Sequence, residues 1–196
     1  MLKKLVDFIK VFFTDPKWRK VSYVFWFCLI TVVIHFSWRF WVIHLNYFPI
    51  KGFMVAISGF LTDQVYYHTV WVVKNILRMN VEAYANVMLC ENGAGIQVVE
   101  SCSGVKQIMQ FALLMLVFPG PWKHKLWFIP LGMVIVHLTN ILRLAILVVV
   151  AKYSPYDIEH IHDTYVRIMF YVVIFILWLV WVEKIADKKT EKGNGK

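Results

Sequence analysis

The sequence is poor in charge: Asp, Glu, Lys and Arg make up 17% of its 196 residues, and only 12 of these are acids. A soluble domain usually carries about 25% charged residues, so too little polar surface is left to cover a water-soluble globule of this size. Three cysteines, Cys28, Cys90 and Cys102, are too few for a disulfide framework. Six prolines and nine glycines exclude fibrous repeats. Residues 1–20 mix charged and apolar side chains and have no small-residue cleavage site, so the first apolar run is expected to be an uncleaved anchor. No ligand spacing calls for a metal or an organic cofactor: His160-x-His162 with Asp163 comes nearest, and it has no remote ligand set to complete it.

Apolar residues are abundant: 60% of the chain is hydrophobic and 17% aromatic, including nine Trp and fifteen Phe. Such a chain does not stay solvated, which excludes disorder. The expected class is an all-α polytopic membrane protein forming a single domain over residues 1–196. The net charge of +9 does not point to nucleic acid, because of where it lies. Lys3, Lys4, Lys10, Lys17, Arg19 and Lys20 crowd residues 1–20, and Lys184, Lys188, Lys189, Lys192 and Lys196 crowd residues 183–196. Basic tails flanking apolar segments mark the cytoplasmic side of a bilayer, and the aromatic interleaving of a nucleic-acid surface is nearly absent from them.

A helix needs about 20 apolar residues to cross a bilayer. Four runs are read as firm spans: Val21–Ile43, Val105–Phe118 with a start near Cys102, Leu126–Val150 and Tyr165–Val182. A further run, Gly52–Leu77, is interrupted by Asp63, Gln64, His68 and Lys74. It is read as an amphipathic outer cap with Phe53, Ile57, Phe60, Leu61 and Val65 on one side. If it crossed, the count would rise to five or six. Two cytoplasmic tails require an even number of spans, and the basic loop Gly120–Lys125 belongs inside as well. The segment Val87–Glu100 then lies outside. Its turn residues Asn92, Gly93, Ala94 and Gly95 predict a hairpin leading into the second firm span.

This topology brings three polar groups to one depth. Cys102 sits at the outer mouth of an inward-running span. Arg143 lies far along an outward-running one, roughly 25 Å from its inner end at 1.5 Å per residue. His160 and His162 precede the last span. An arginine in an apolar run costs about 2.5–3.5 kcal/mol even on the most lenient scales, so Arg143 is expected to be paired or functional. A thiol, a guanidinium and an imidazole suit thiol acyl transfer. The thiolate is the nucleophile and is favoured by a nearby cation. The imidazole takes the thiol proton and returns it to the leaving amine. The guanidinium holds the oxyanion.

The ordered trio resembles the exosortase/archaeosortase family of membrane transpeptidases. Glu100-Ser101-Cys102-Ser103-Gly104 resembles the family's Cys-Ser-Gly nucleophile motif. Asn140-Ile141-Leu142-Arg143 resembles its Asn-x-x-Arg motif, and His162-Asp163 resembles its third catalytic position. The resemblance covers roughly residues 85–182. Val166 stands where many relatives have Gly, which leaves His160 as a competitor for His162, and archaeal relatives place an Arg at the third site, so Arg167 is a neighbour to weigh. The resemblance implies Cys102, Arg143 and His162 as catalytic residues, with Asn140, Ser103, Glu100 and His160 as further candidates. It also implies substrates: exported proteins ending in a recognition motif, an apolar span and a basic tail, cut at the outer face of the plasma membrane without a cofactor. The competing class is a non-catalytic multipass assembly or transport protein with Arg143 as a buried pair. A third is a lipid- or polysaccharide-modifying enzyme using His162 and Asp163.

Overall fold

The computed structural model describes residues 19–158 and 165–186. The chain divides into two compact units, Met1–Asn46 and Tyr47–Lys196. The described part of the first unit is one helix, α1 (Arg19–Leu45), 27 residues without an interior Gly or Pro. It ends where Asn46 and Tyr47 take positive φ values of 45° and 63°. Near its C-terminal end the Trp38 and Trp41 rings meet edge to face, 5.6 Å apart.

The second unit begins with α2 (Lys51–Trp71), which runs into a π-turn over Val72–Ile76. Its buried stripe is Met54, Thr62, Val65, Tyr66 and Thr69, followed by Val73. This is the spacing of a helix face, and it is a different face from the apolar side that the sequence marks. Of the expected apolar side, Val65 is buried whereas Phe53 and Phe60 are more than 60% exposed. Thr62 and Thr69 turn inward beside Met54, Val65 and Tyr66, while Phe53 and Phe60 turn outward. That pattern suits a lipid environment, where small residues let helices approach closely.

A three-stranded antiparallel sheet follows: β1 (Val81–Tyr84), β2 (Val87–Cys90) and β3 (Gly95–Gln97), in that order. The β2–β3 hairpin is the one its turn residues predict. Gly93 has φ 81°, Cys90 N–H donates to Ala94 O at 2.8 Å, and Asn92 Oδ1 accepts from Ala94 N–H at 3.0 Å. Strand β1 is an addition to the expected helices and hairpin. It joins β2 through Ala85 and Asn86, both left-handed, the backbone of a type I′ turn.

Helix α3 (Val105–Val117) has 13 residues, α4 (Trp122–Tyr153) has 32, and α5 (Tyr165–Trp181) has 17 and continues into a π-turn over Val182–Ala186. Among the described residues two helices are long and apolar enough to cross a membrane alone, Val21–Leu45 and Trp122–Tyr153. The protein is thus a mostly helical membrane protein carrying a small sheet. The basic tails, apart from Arg19, Lys20 and Lys184, lie outside the described residues.

Helices α3, α4 and α5 pack through aromatic side chains. Gly132 lets the Phe111 ring lie against the α4 backbone. The Phe128 and Trp181 rings meet at a tilt, 5.1 Å apart, and Phe118 meets Trp178 edge to face at 5.6 Å. The connection between α3 and α4 is tied down by two donors. The Lys125 ammonium is buried and donates to Leu116 O at 2.8 Å and Phe118 O at 2.7 Å, carbonyls that the end of α3 leaves free. Trp181 Nε1 donates to Pro119 O at 3.2 Å. At the other end of α4, Asn92 Nδ2 donates to Ala151 O at 2.9 Å and Lys152 O at 3.0 Å, so the hairpin caps the helix C-terminus. Near that end Val65, Tyr66, Met88, Cys90, Val98, Leu147 and Val148 form one hydrophobic core between α2, the sheet and α4.

Candidate active site

Cys102 ends a short 3₁₀ turn, Glu100–Cys102, and is 8% exposed within that core. The turn is closed by Cys102 N–H donating to Val99 O at 2.7 Å and Ser103 N–H donating to Glu100 O at 3.1 Å. Gly104 follows with φ 78° and starts α3. A side chain there would be strained, and the site of its Cβ is only 2.8 Å from Asn140 Nδ2. Glycine therefore lets two segments touch: Asn140, fully buried on α4, donates from Nδ2 to the Cys102 carbonyl at 2.7 Å.

Arg143 lies three residues further along α4, hence on nearly the same face. It is buried, 7% exposed, and its guanidinium carbon stands 5.9 Å from the centre of the Phe170 ring of α5. The structure thus brings Cys102, Ser103 and Asn140 into one contact set, with Arg143 one turn beyond. Ser103 is 3% exposed, and its Oγ lies 3.4 Å from Val105 N. The Glu100 side chain is exposed, while its carbonyl accepts from Ser103 N–H. His160, His162 and Asp163 lie outside the described residues, as does the Arg167 side chain.

All three cysteines are free, Cys28 exposed and Cys90 and Cys102 buried. The Cys90 thiol is 3.8 Å from Val148 O. Burial pushes it up from the ordinary thiol range; Lys152 opposes that rise and Glu91 adds to it. Among the described residues no group of His, Cys, Asp and Glu is arranged to hold a metal ion.

Two features escape the sequence reading. His137, one turn before Asn140, meets the His68 ring of α2 at 5.9 Å, edge to face. Ser58 of α2 also reaches the nucleophile turn: its Oγ is 3.4 Å from both Glu100 O and Ser103 Oγ. No spacing signal marks Ser58, since it lies on an apolar helix well before the motif segment.

These motifs sit in a chain whose residues 11–179 match the family model for transmembrane exosortases, Exosortase_EpsH. The protein belongs to the transmembrane exosortase family. No curated protein and no solved structure matches the chain.

Proposed function

We propose that the protein is a membrane-embedded cysteine transpeptidase or protease that cleaves the C-terminal sorting signals of exported proteins through a thioester on Cys102. The observation that carries this reading is the 2.7 Å hydrogen bond from Asn140 to the Cys102 carbonyl. It fixes the thiol-bearing turn to the helix that carries Arg143, and positioned groups of this kind are what an acyl-transfer site requires. Family membership supports the same chemistry.

In the reaction the Cys102 sulfur attacks the scissile carbonyl and its proton passes to His162, with His160 as the competing base. Arg143 stabilises the tetrahedral oxyanion. The C–N bond then breaks, the imidazolium returns the proton to the leaving amine, and the acyl group stays on sulfur as a thioester. An amine from the envelope resolves the thioester in transpeptidation, and water resolves it in cleavage. The substrates are proteins with a motif, an apolar span and a basic tail, and their span lies beside the enzyme in the bilayer.

In the topology that goes with this reading, all 196 residues serve one integral membrane domain of the plasma membrane. It has four crossings, α1, α3, α4 and α5, with both basic tails inside and the sheet and the active site outside. α2 belongs to the outer cap. The positive-inside bias of the tails and of the loop holding Lys123 and Lys125 supports this arrangement.

The test is processing of a co-expressed substrate bearing such a tail. Cys102→Ala is expected to abolish processing while the protein still accumulates in the membrane, and a mass-labelled thioester or mixed disulfide is expected at Cys102 in the parent. Undiminished processing by Cys102→Ala would sink the reading in favour of a non-catalytic assembly or transport role.

A further inference from the structure

The turn that carries Cys102 is gripped by two helices. One, α4, supplies Asn140 to the Cys102 carbonyl. The other, α2, supplies Ser58. Three contacts of 3.4 Å line up there: Val105 N to Ser103 Oγ, Ser103 Oγ to Ser58 Oγ, and Ser58 Oγ to Glu100 O. A hydroxyl donates one hydrogen bond. With Ser58 donating to the Glu100 carbonyl, Ser103 donates to Ser58 and in turn accepts from Val105 N–H, so every donor in the chain is used once. The two ends of the chain are the first residue of the 3₁₀ turn and the first residue of α3, with Cys102 between them. Thr62 Oγ1 donates to Ser58 O at 2.8 Å and ties this stretch of α2 to its next turn.

We propose that Ser58 is a positioning residue for the nucleophile: its hydroxyl closes a side-chain bridge across the Glu100–Val105 turn and holds the Cys102 thiol where it attacks. The inference rests on Cys102 being that nucleophile. It makes α2, which lies wholly before the motif segment, one wall of the active site. The inward face of α2 is small and polar at this level for that reason, since a bulky apolar residue in place of Ser58 would push the helix off the turn.

The test uses the full-length protein in its membrane, with two readouts: kcat and KM for processing of a tailed substrate, and the rate at which N-ethylmaleimide alkylates Cys102, read by peptide mass spectrometry. Ser58→Ala is expected to lower kcat about tenfold with KM within about twofold, the pattern of misplaced reacting groups rather than lost binding. It is also expected to speed Cys102 alkylation about fivefold, because a loosened turn uncovers a buried thiol. Ser58→Thr keeps the hydroxyl and should stay within about threefold of the parent in both. Ser103→Ala should lose a similar factor, and the double variant Ser58→Ala with Ser103→Ala should be little worse than either alone, since both break one chain.

Parental kcat in Ser58→Ala, additive losses in the double variant, or a Thr variant as poor as Ala would overturn the proposal. If Ser58→Ala fails to accumulate, Ser58→Thr and Ser103→Ala decide between the same outcomes. Should Cys102→Ala still process substrate, the enzymatic reading fails. The alkylation rates, which need no catalysis, still judge Ser58, and equal rates in Ser58→Ala and the parent would count against it.

Discussion

Gly104 and Asn140 pack so closely that a methyl group on Gly104 would sit 2.8 Å from the Asn140 amide nitrogen. Gly104 also has a φ of 78°, in the region that favours glycine. Gly104→Ala therefore pays twice: about 1–2 kcal/mol for the left-handed backbone, and the displacement of the amide that holds Cys102. Processing is expected to fall at least as far as in Asn140→Ala. Gly59→Ala, whose Cβ meets nothing within 4 Å, should leave stability equal or raised by up to about 1 kcal/mol. Unfolding in graded detergent mixtures compares the two variants.

Asn140→Ala removes the donor to the Cys102 carbonyl and leaves that buried acceptor unmatched, a loss of about 1–3 kcal/mol. Asn140→Asp should be worse, because an ionised carboxylate cannot donate to a carbonyl and brings a charge into a fully buried position. The ordering parent, Ala, Asp in unfolding midpoint is the expected result. An Asp variant as stable as the parent would contradict the geometry.

Lys125 donates to two carbonyls at the end of α3. Lys125→Met keeps the stem and removes both bonds, so stability should drop by about 1–3 kcal/mol. Because this end of α4 lies far from Asn140, kcat should be unchanged in the protein that folds. Thermal inactivation and initial rates separate the two effects.

Cys90 is held above the ordinary thiol range by burial. Its thiolate fraction at neutral pH is thus small, and its alkylation should keep rising with pH beyond the point where an exposed thiol has levelled off. Lys152 favours the thiolate and Glu91 opposes it. Lys152→Met should therefore slow Cys90 labelling at a fixed alkaline pH, and Glu91→Gln should speed it. The reverse order would show that the 3.9 Å Lys152–Glu91 ion pair does not set the local field.

Much of the helical framework was legible in the chain. Long apolar runs, each holding a single arginine, marked α1 and α4, and the Asn92–Gly95 cluster marked the hairpin. Asn140 and Arg143 could be placed on one helix face from their spacing alone. Other parts were hidden for physical reasons. Strand β1 has four residues and closes through Ala85, a residue that rarely takes φ of 45° and gives no turn signal. The buried face of α2 carries no hydropathy signal, because Phe53 and Phe60 face outward while Thr62 and Thr69 face the protein. Ser58 and Lys125 meet their partners in another element, Glu100 O and Ser103 Oγ for Ser58 and two carbonyls at the end of α3 for Lys125, and no local pattern records such contacts.

The shortness of α3 bears on where a substrate must be cut. Thirteen residues rise about 20 Å, against a hydrocarbon slab of about 30 Å. With its inner end at the cytoplasmic boundary, α3 would start about 10 Å below the outer interface, with Cys102 three residues before that start. A client polypeptide would then have to unwind the first turns of its own anchor and dip into the enzyme to reach it. Clients whose anchors begin with helix-breaking residues should be cut fastest, and stiffening that stretch with alanines should slow them.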